Sequence, residues 1–329
     1  MDYTVLSIIA KGDKNTRYLV QDSEGEYFSI KVPTGKYELG ELASEPYFEP
    51  CMNERWIRTA TGQASTYPRK RMMDHLEWYK QEYLQDKVNG SYQSRPHPHI
   101  FDSPEKNLIR GYGYDDCLKE KMDSLGEELR SDFTHLTSSQ AFAVNFFGPL
   151  IAEGQLGLLD PCFDFPSPRS SFEEILLPDE KTQFDFLVKD AAGTPRCSVE
   201  VKYSESGFGA TIGDPEHLDK FRRDYETKMQ ELSNAAQEHW QFFEYYQVWR
   251  NLLYTVRYPG QHICFLFPRF REDLAKTLKM IFDKCKEQYR PFFHVIYADD
   301  VVEKILQSDS PMKPYYEAFK LKYLDIDKS

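Results

Sequence analysis

Three polar residues interrupt two apolar runs near the middle of the chain. Asp185 sits in the run 183–188, and Glu200 and Lys202 sit in the run 197–203. Between them, 190–195 reads Asp-Ala-Ala-Gly-Thr-Pro, a concentration of turn formers, so the stretch reads as two antiparallel strands joined by a loop. Side chains alternate faces along a strand, so Glu200 and Lys202 share one face and Val199 and Val201 the other. The midpoint between Asp185 and Glu200 falls near Ala192, inside the turn, so a symmetric hairpin sets the two acids opposite one another. Directly opposed residues have Cβ atoms about 4.5–5.5 Å apart. Two carboxylates that close repel unless a cation lies between them, and a hard ion such as Mg²⁺ takes oxygen ligands. Lys202, one pleat along, points at the same space. Two acids and a lysine around a metal can hold a phosphodiester and activate a water molecule. The plainer reading is a half-exposed hairpin with a cross-strand ion pair. Glu226-Thr227-Lys228 repeats the spacing in a charged helical run and carries no such meaning; the apolar strand and the matching Asp185 set 200–202 apart.

The elements that must position these residues follow from patterning. The run 172–177 reads as the strand before the hairpin. A helix is expected from Gln140, capped by residues 137–139, with Phe142, Phe146 and Leu150 at helical spacing and Gly148-Pro149 bending or ending it. A long helical stretch is expected over 217–258, with Gln247, Arg250 and Asn251 within a turn or so of one another. Strands at 261–267 and 292–297 alternate with helices at 272–286 and 301–307, which suggests parallel pairing at that edge and a mixed sheet. Upstream, 3–10, 17–21 and 26–32 read as a small β-meander, and 53–89 is mostly helical. The glycine-containing loop 203–213 is expected to border the site.

Asp185 followed by Glu200-Val201-Lys202 on the next strand resembles the D…ExK signature of the PD-(D/E)xK nuclease superfamily, the restriction-endonuclease-like fold. The segment 138–150, Ser-Ser-Gln-Ala-Phe-Ala-Val-Asn-Phe-Phe-Gly-Pro-Leu, is similar to the helix before the core sheet in a bacterial nuclease-like subfamily. Gln247-Val-Trp-Arg250-Asn251 is similar to a motif on that subfamily's later helix. The resemblance spans roughly residues 135–305 and departs at Phe184, where the signature often has proline. It implies an α/β protein with a restriction-endonuclease-like core, a mixed central sheet flanked by helices, a small N-terminal β-meander and helical insertions. The expected divisions are 1–50, a small β subdomain; 51–134, a helical and linker region; and 135–329, the nuclease-like core.

The resemblance further implies metal-dependent hydrolysis of DNA phosphodiester bonds, in restriction, defence or repair. Asp185 and Glu200 would bind Mg²⁺ or Mn²⁺, with the Val201 carbonyl as a further ligand and Lys202 polarising the attacking water. Glu173, twelve residues before Asp185, and Gln247 are further catalytic candidates. Gln140, Asn145, Arg250 and Asn251 are candidate nucleic-acid contacts. So are Arg69, Lys70 and Arg71, the densest basic cluster in the chain, for which a solvated helix start is the ordinary reading. The alternative function is a nuclease-fold module that binds nucleic acid or a partner protein without cleaving.

Composition bounds these readings. A formal net charge of −12 weakens a general nucleic-acid-binding role, although a local basic groove and a metal would suffice. DNA is the expected partner, RNA stays open, and a homodimer is compatible with the chain. The six cysteines, at 51, 117, 162, 197, 264 and 285, form no C-x-x-C pair or zinc-finger spacing and read as reduced thiols. His97-Pro98-His99 reads as a loop with two exposed histidines. No apolar run reaches the ~18–20 residues of a membrane span, and the N-terminus lacks a basic leader, so a cytoplasmic protein is expected. No phosphate loop, G-x-S-x-G elbow or HExxH motif is present.

Overall fold

Apolar runs between turn formers build two five-stranded sheets and one short hairpin among the described residues. In the computed structural model, β1 (Tyr3–Lys11), β2 (Asn15–Gln21), β3 (Tyr27–Pro33), β4 (Leu42–Ala43) and β5 (Glu49–Pro50) form an antiparallel sheet ordered β4-β1-β2-β3-β5. Its core is a small cluster around Val5, Tyr18, Val20, Ile30, Val32 and Ala43. The structure describes residues 3–11, 14–24, 26–44, 49–50, 69–177, 182–211, 215–233 and 239–326. The chain divides into two compact units, residues 1–66 and 67–329.

The second unit begins with a helix, Arg69–Trp78, and a short hairpin of β6 (Ser91–Tyr92) and β7 (Arg95–Pro96). Its centre is a mixed five-stranded sheet. The strands are β8 (Arg169–Leu177), β9 (Thr182–Lys189), β10 (Pro195–Val201), β11 (His262–Phe267) and β12 (Phe293–Tyr297), in the order β12-β11-β10-β9-β8. β8, β9 and β10 run antiparallel as a meander, while β10, β11 and β12 pair in parallel. The β9–β10 turn is closed by Asp190, whose Oδ1 accepts from the N–H groups of Ala192 and Thr194, and by Gly193 at φ +85°.

Both faces of this sheet are covered, so its central strands are largely apolar on both sides, interrupted by Asp185, Ser198 and Glu200. On one face Phe186, Val188, Cys197, Val199, Val201, Cys264, Leu266 and Ile296 pack with the helices Ser139–Ala152 and Lys313–Tyr323. On the other, Ile263, Phe265 and Phe267 pack with Trp249, Leu252, Leu274 and Leu278. Residues 69–134 join the first of these cores through Met72, Leu76, Leu118 and Phe133.

Three local expectations are corrected. The helix Ser139–Ala152 continues through Gly148-Pro149 rather than ending there. Pro149 has no N–H for the Asn145 carbonyl four residues back, and the Tyr315 hydroxyl donates to that carbonyl instead, at 2.8 Å. Gly148 lets Leu118 approach: a Cβ there would lie 2.5 Å from its side chain. The stretch 217–258 is a chain of short pieces rather than one helix, including Glu226–Leu232, His239–Glu244, Tyr246–Leu252 and Tyr254–Arg257. His97 and His99 are half-buried, with His99 against the His135 ring. No helix among the described residues is long and apolar enough to cross a membrane.

Candidate active site

The strand registers carry the site. On β9 and β10, Phe186 pairs with Val199, so the next opposed pair is Asp185 with Glu200. On β8 and β9, the pairs Phe172–Phe186 and Glu174–Phe184 bracket Glu173 and Asp185. Glu173, Asp185 and Glu200 therefore stand side by side on three neighbouring strands, on the face opposite Val199 and Val201. Glu173 holds φ at +51°, a region costly for a residue with a side chain. Its carboxylate is buried and accepts from Gln140 Nε2 at 2.8 Å and from the Arg130 guanidinium at 3.0 Å.

Asp185 Oδ2 accepts the Val201 N–H at 2.7 Å. Lys202 Nζ lies 3.0 Å from Glu200 Oε1. Gln247 Nε2 donates to the same oxygen at 2.6 Å, and Asn251 Nδ2 donates to Glu200 Oε2 at 3.0 Å. The Tyr246–Leu252 helix thus presents two amides to the carboxylate that β10 carries in. The backbone past Lys202 is pinned: its N–H donates to Leu266 O, and buried Arg271 donates to Tyr203 O. Because a trans peptide points its N–H and C=O in opposite directions, the Val201 carbonyl faces the β9 side, as its N–H does.

Burial pushes the Asp185 carboxyl well up from the usual aspartate range, and Glu200 and Glu173 add to it; Lys202 and the Val201 N–H only partly offset this. Glu173 is raised too, chiefly by burial, against the pull of Arg130 and Gln140. For Lys202, burial acts downward, but Glu200, Glu205 and Asp185 outweigh it and hold the ammonium above the usual lysine range.

Asp185, Glu200, Lys202, Gln247 and Asn251 line a cleft of about 230 Å³ with Arg130, Ser139, Thr182, Gln183, Glu205 and Arg250. A larger hollow of about 510 Å³, bordered by Tyr79, Phe101 and Lys322, lies elsewhere and holds no such set of acids. Arg250 bonds the Thr182 hydroxyl and lies over the Tyr246 ring. The loop after Lys202 lines the cleft through Glu205 and bonds Gln247 through Gly209, whose carbonyl accepts the Gln247 N–H and whose N–H donates to Gln247 Oε1.

Of the candidates read from sequence, the structure brings Asp185, Glu200, Val201, Lys202, Gln247, Arg250 and Asn251 together. Glu173 and Gln140 form a buried pair at the cleft's edge. Asn145 is turned into the core, bonding Ile109 N, Asn107 O, Ala141 O and the Tyr323 hydroxyl. Arg69, Lys70 and Arg71 open the Arg69–Trp78 helix, exposed and outside the cleft lining. Sequence reasoning missed Arg130 and Glu205, which carry no motif; Arg130 reaches the site from an irregular segment more than fifty residues before Asp185.

The donor set fits a hard divalent ion. Among the described residues, Asp185 Oδ1 meets only Arg130, at 3.8 Å, and Glu200 Oε2 accepts one bond where a carboxylate oxygen can accept two. Both oxygens are on buried side chains, where an uncompensated charge is costly.

Residues 70–324 match the protein family described as restriction endonuclease associating with ARP. No curated protein and no solved structure matches the chain.

Proposed function

The chain belongs to the family described as restriction endonuclease associating with ARP, and from that membership and the cleft we propose that it is a divalent-metal-dependent nuclease of the PD-(D/E)xK type acting on DNA. The observation that carries this reading is the alignment of Asp185 and Glu200 across β9 and β10 with Lys202 beside them. Asp185 Oδ1, Glu200 Oε2 and the Val201 carbonyl are the groups that would hold Mg²⁺ or Mn²⁺. When bound, such an ion polarises a phosphoryl oxygen and makes water a better nucleophile near neutral pH.

The chain's own residues supply the rest. Lys202 is held protonated by Glu200, so it acts as a hydrogen-bond donor and fixed positive charge, orienting the water and offsetting charge that develops on phosphorus. Gln247 and Asn251 fix the Glu200 carboxylate, leaving it one acceptor direction. Arg130, half out of the protein and tethered to Glu173, is placed to meet a phosphate at the mouth. Contacts of this kind read phosphates rather than bases, so the cleft itself carries no sequence preference.

The test is incubation of the purified protein with plasmid, linear DNA and RNA, with Mg²⁺, Mn²⁺ or EDTA. Divalent-dependent cleavage of DNA is expected. Absence of cleavage under every condition would replace this reading with a fold that binds without cutting.

A further inference from the structure

A second constellation lies on the other face of the central sheet, at the leading ends of its parallel strands. His262 opens β11 and His294 is the second residue of β12. Cys162 arrives from the short 3-10 turn Pro161–Phe163, which packs on β10. One nitrogen from each imidazole and the Cys162 sulfur all lie within 4.8 Å of one another. His262 Nδ1 and His294 Nε2 are 2.8 Å apart. No other group of three histidine, cysteine or acidic residues converges this way among the described residues.

Two further observations point the same way. The remaining nitrogen of His294, Nδ1, faces Asp160 Oδ2 at 3.3 Å. A carboxylate behind a histidine is what fixes a metal-binding imidazole in tautomer and orientation. The other Asp160 oxygen accepts the Cys162 N–H at 3.0 Å, so one side chain orients two of the three converging groups. Around them stand two more sulfurs, Cys197 Sγ at 3.8 Å and Cys264 Sγ at 4.0 Å from Cys162 Sγ.

We propose that Cys162, His262 and His294 bind a zinc-class divalent cation that fastens the turn Pro161–Phe163 to the leading ends of β11 and β12. A sulfur and two imidazoles favour zinc over the hard ions suited to the acidic cleft. Tetrahedral zinc with bonds of ~2.0–2.3 Å sets neighbouring ligand atoms roughly 3.3–3.7 Å apart, so the two imidazole nitrogens, 2.8 Å apart, need to open by about half an ångström. Cys264 shares the strand face of His262, so a further sulfur stands beside the three ligands. The site is structural: it lies across the sheet from Asp185 and Glu200, and none of its three ligands is on β10, the strand that carries Glu200. It stands whether or not the nuclease reading does.

The test uses the full chain purified under reductant. After exposure to Zn²⁺ and dialysis against metal-free buffer, elemental analysis should find about one zinc per chain. Co²⁺ in its place should give a near-ultraviolet thiolate-to-cobalt charge-transfer band. Cys162→Ser should remove that band, and His294→Ala should remove the bound zinc. Asp160→Asn keeps an oxygen for the Cys162 N–H and should weaken binding by roughly 10–100-fold. Asp185→Ala should retain the full zinc content. Circular dichroism checks that each variant is folded, and Asp160→Asn decides the matter if the ligand variants are not. Wild type without zinc or a cobalt band overturns the proposal, as does Cys162→Ser with both unchanged, or folded Asp160→Asn with unaltered affinity.

Discussion

At the scale of single residues, the two carboxylates and the lysine of the cleft are separable by mutation. Lys202→Ala removes a donor and a positive charge but no metal ligand, so cleavage should drop by a factor on the order of 10²–10⁴ while Mg²⁺ binding persists. Asp185→Ala should lose both, as read by gel cleavage and by calorimetric Mg²⁺ titration. A Lys202→Ala protein that cuts like wild type would remove Lys202 from the chemistry. The raised Asp185 carboxyl gives a second expectation. A carboxyl that holds its proton more tightly when folded contributes stability that is fully present below its ordinary pKa of about 3.9. That stability is lost as pH climbs through the raised folded value. Tm without divalent ion should therefore fall across that window. Mg²⁺, which needs the ionised form, should raise Tm more at about pH 8 than at about pH 5. An equal shift at both values would mean that no buried carboxyl loses a proton on binding. The acids were legible in sequence because strand alternation and a centred turn fix which residues oppose each other. Arg130 was not legible, because its approach to Glu173 and Asp185 depends on how an irregular segment packs.

At the scale of elements, the strands were read closely because each alternates or runs apolar between turn formers. The short hairpin β6–β7 went unread in a stretch taken for a connector. The helices were harder. The helix Lys313–Tyr323 went unread although Pro314 stands in its first turn and Lys320 and Lys322 in its last; Tyr315, Tyr316, Phe319 and Tyr323 cover the Ser139–Ala152 helix. The aromatic stretch 217–258 has helical periodicity but widens into a π-helical turn at Phe221–Tyr225 and leaves helical geometry at Ser233 and Tyr245. Proline-specific stopping at Pro149 failed for a nameable reason, the hydroxyl of Tyr315. Tyr315→Phe keeps the ring and leaves the Asn145 carbonyl without that donor. It should cost about 1–3 kcal/mol, the penalty for a buried unsatisfied group. Chemical denaturation would measure it, with cleavage at moderate temperature unchanged. A loss well below this range would mean that the carbonyl finds another donor.

At the scale of the whole molecule, two facts bear on how an acidic chain could hold DNA. The first is division: the β4-β1-β2-β3-β5 sheet has its own core, and the chain divides into compact units at residue 66. A chain starting at residue 67 should fold cooperatively and keep its Mg²⁺-dependent rise in Tm; failure to do so would assign the first unit a part in stability. The second is charge. With a net of −12, phosphate binding cannot come from the surface at large. On the proposed function it comes from the cations that line the cleft, Arg130, Lys202 and Arg250, together with the metal. Affinity for DNA scales with salt at a slope near −0.9 per phosphate neutralised. About three such contacts give a slope of roughly −2 to −4, much shallower than that of an extended basic surface. Anisotropy titrations at several salt concentrations, with Ca²⁺ replacing Mg²⁺ to prevent cutting, would measure it. Arg130→Ala should make the slope shallower by about 1. A slope near −10 would mean that contacts extend well beyond the cleft, and Arg69, Lys70 and Arg71, exposed at the start of their helix, would be the first residues to replace.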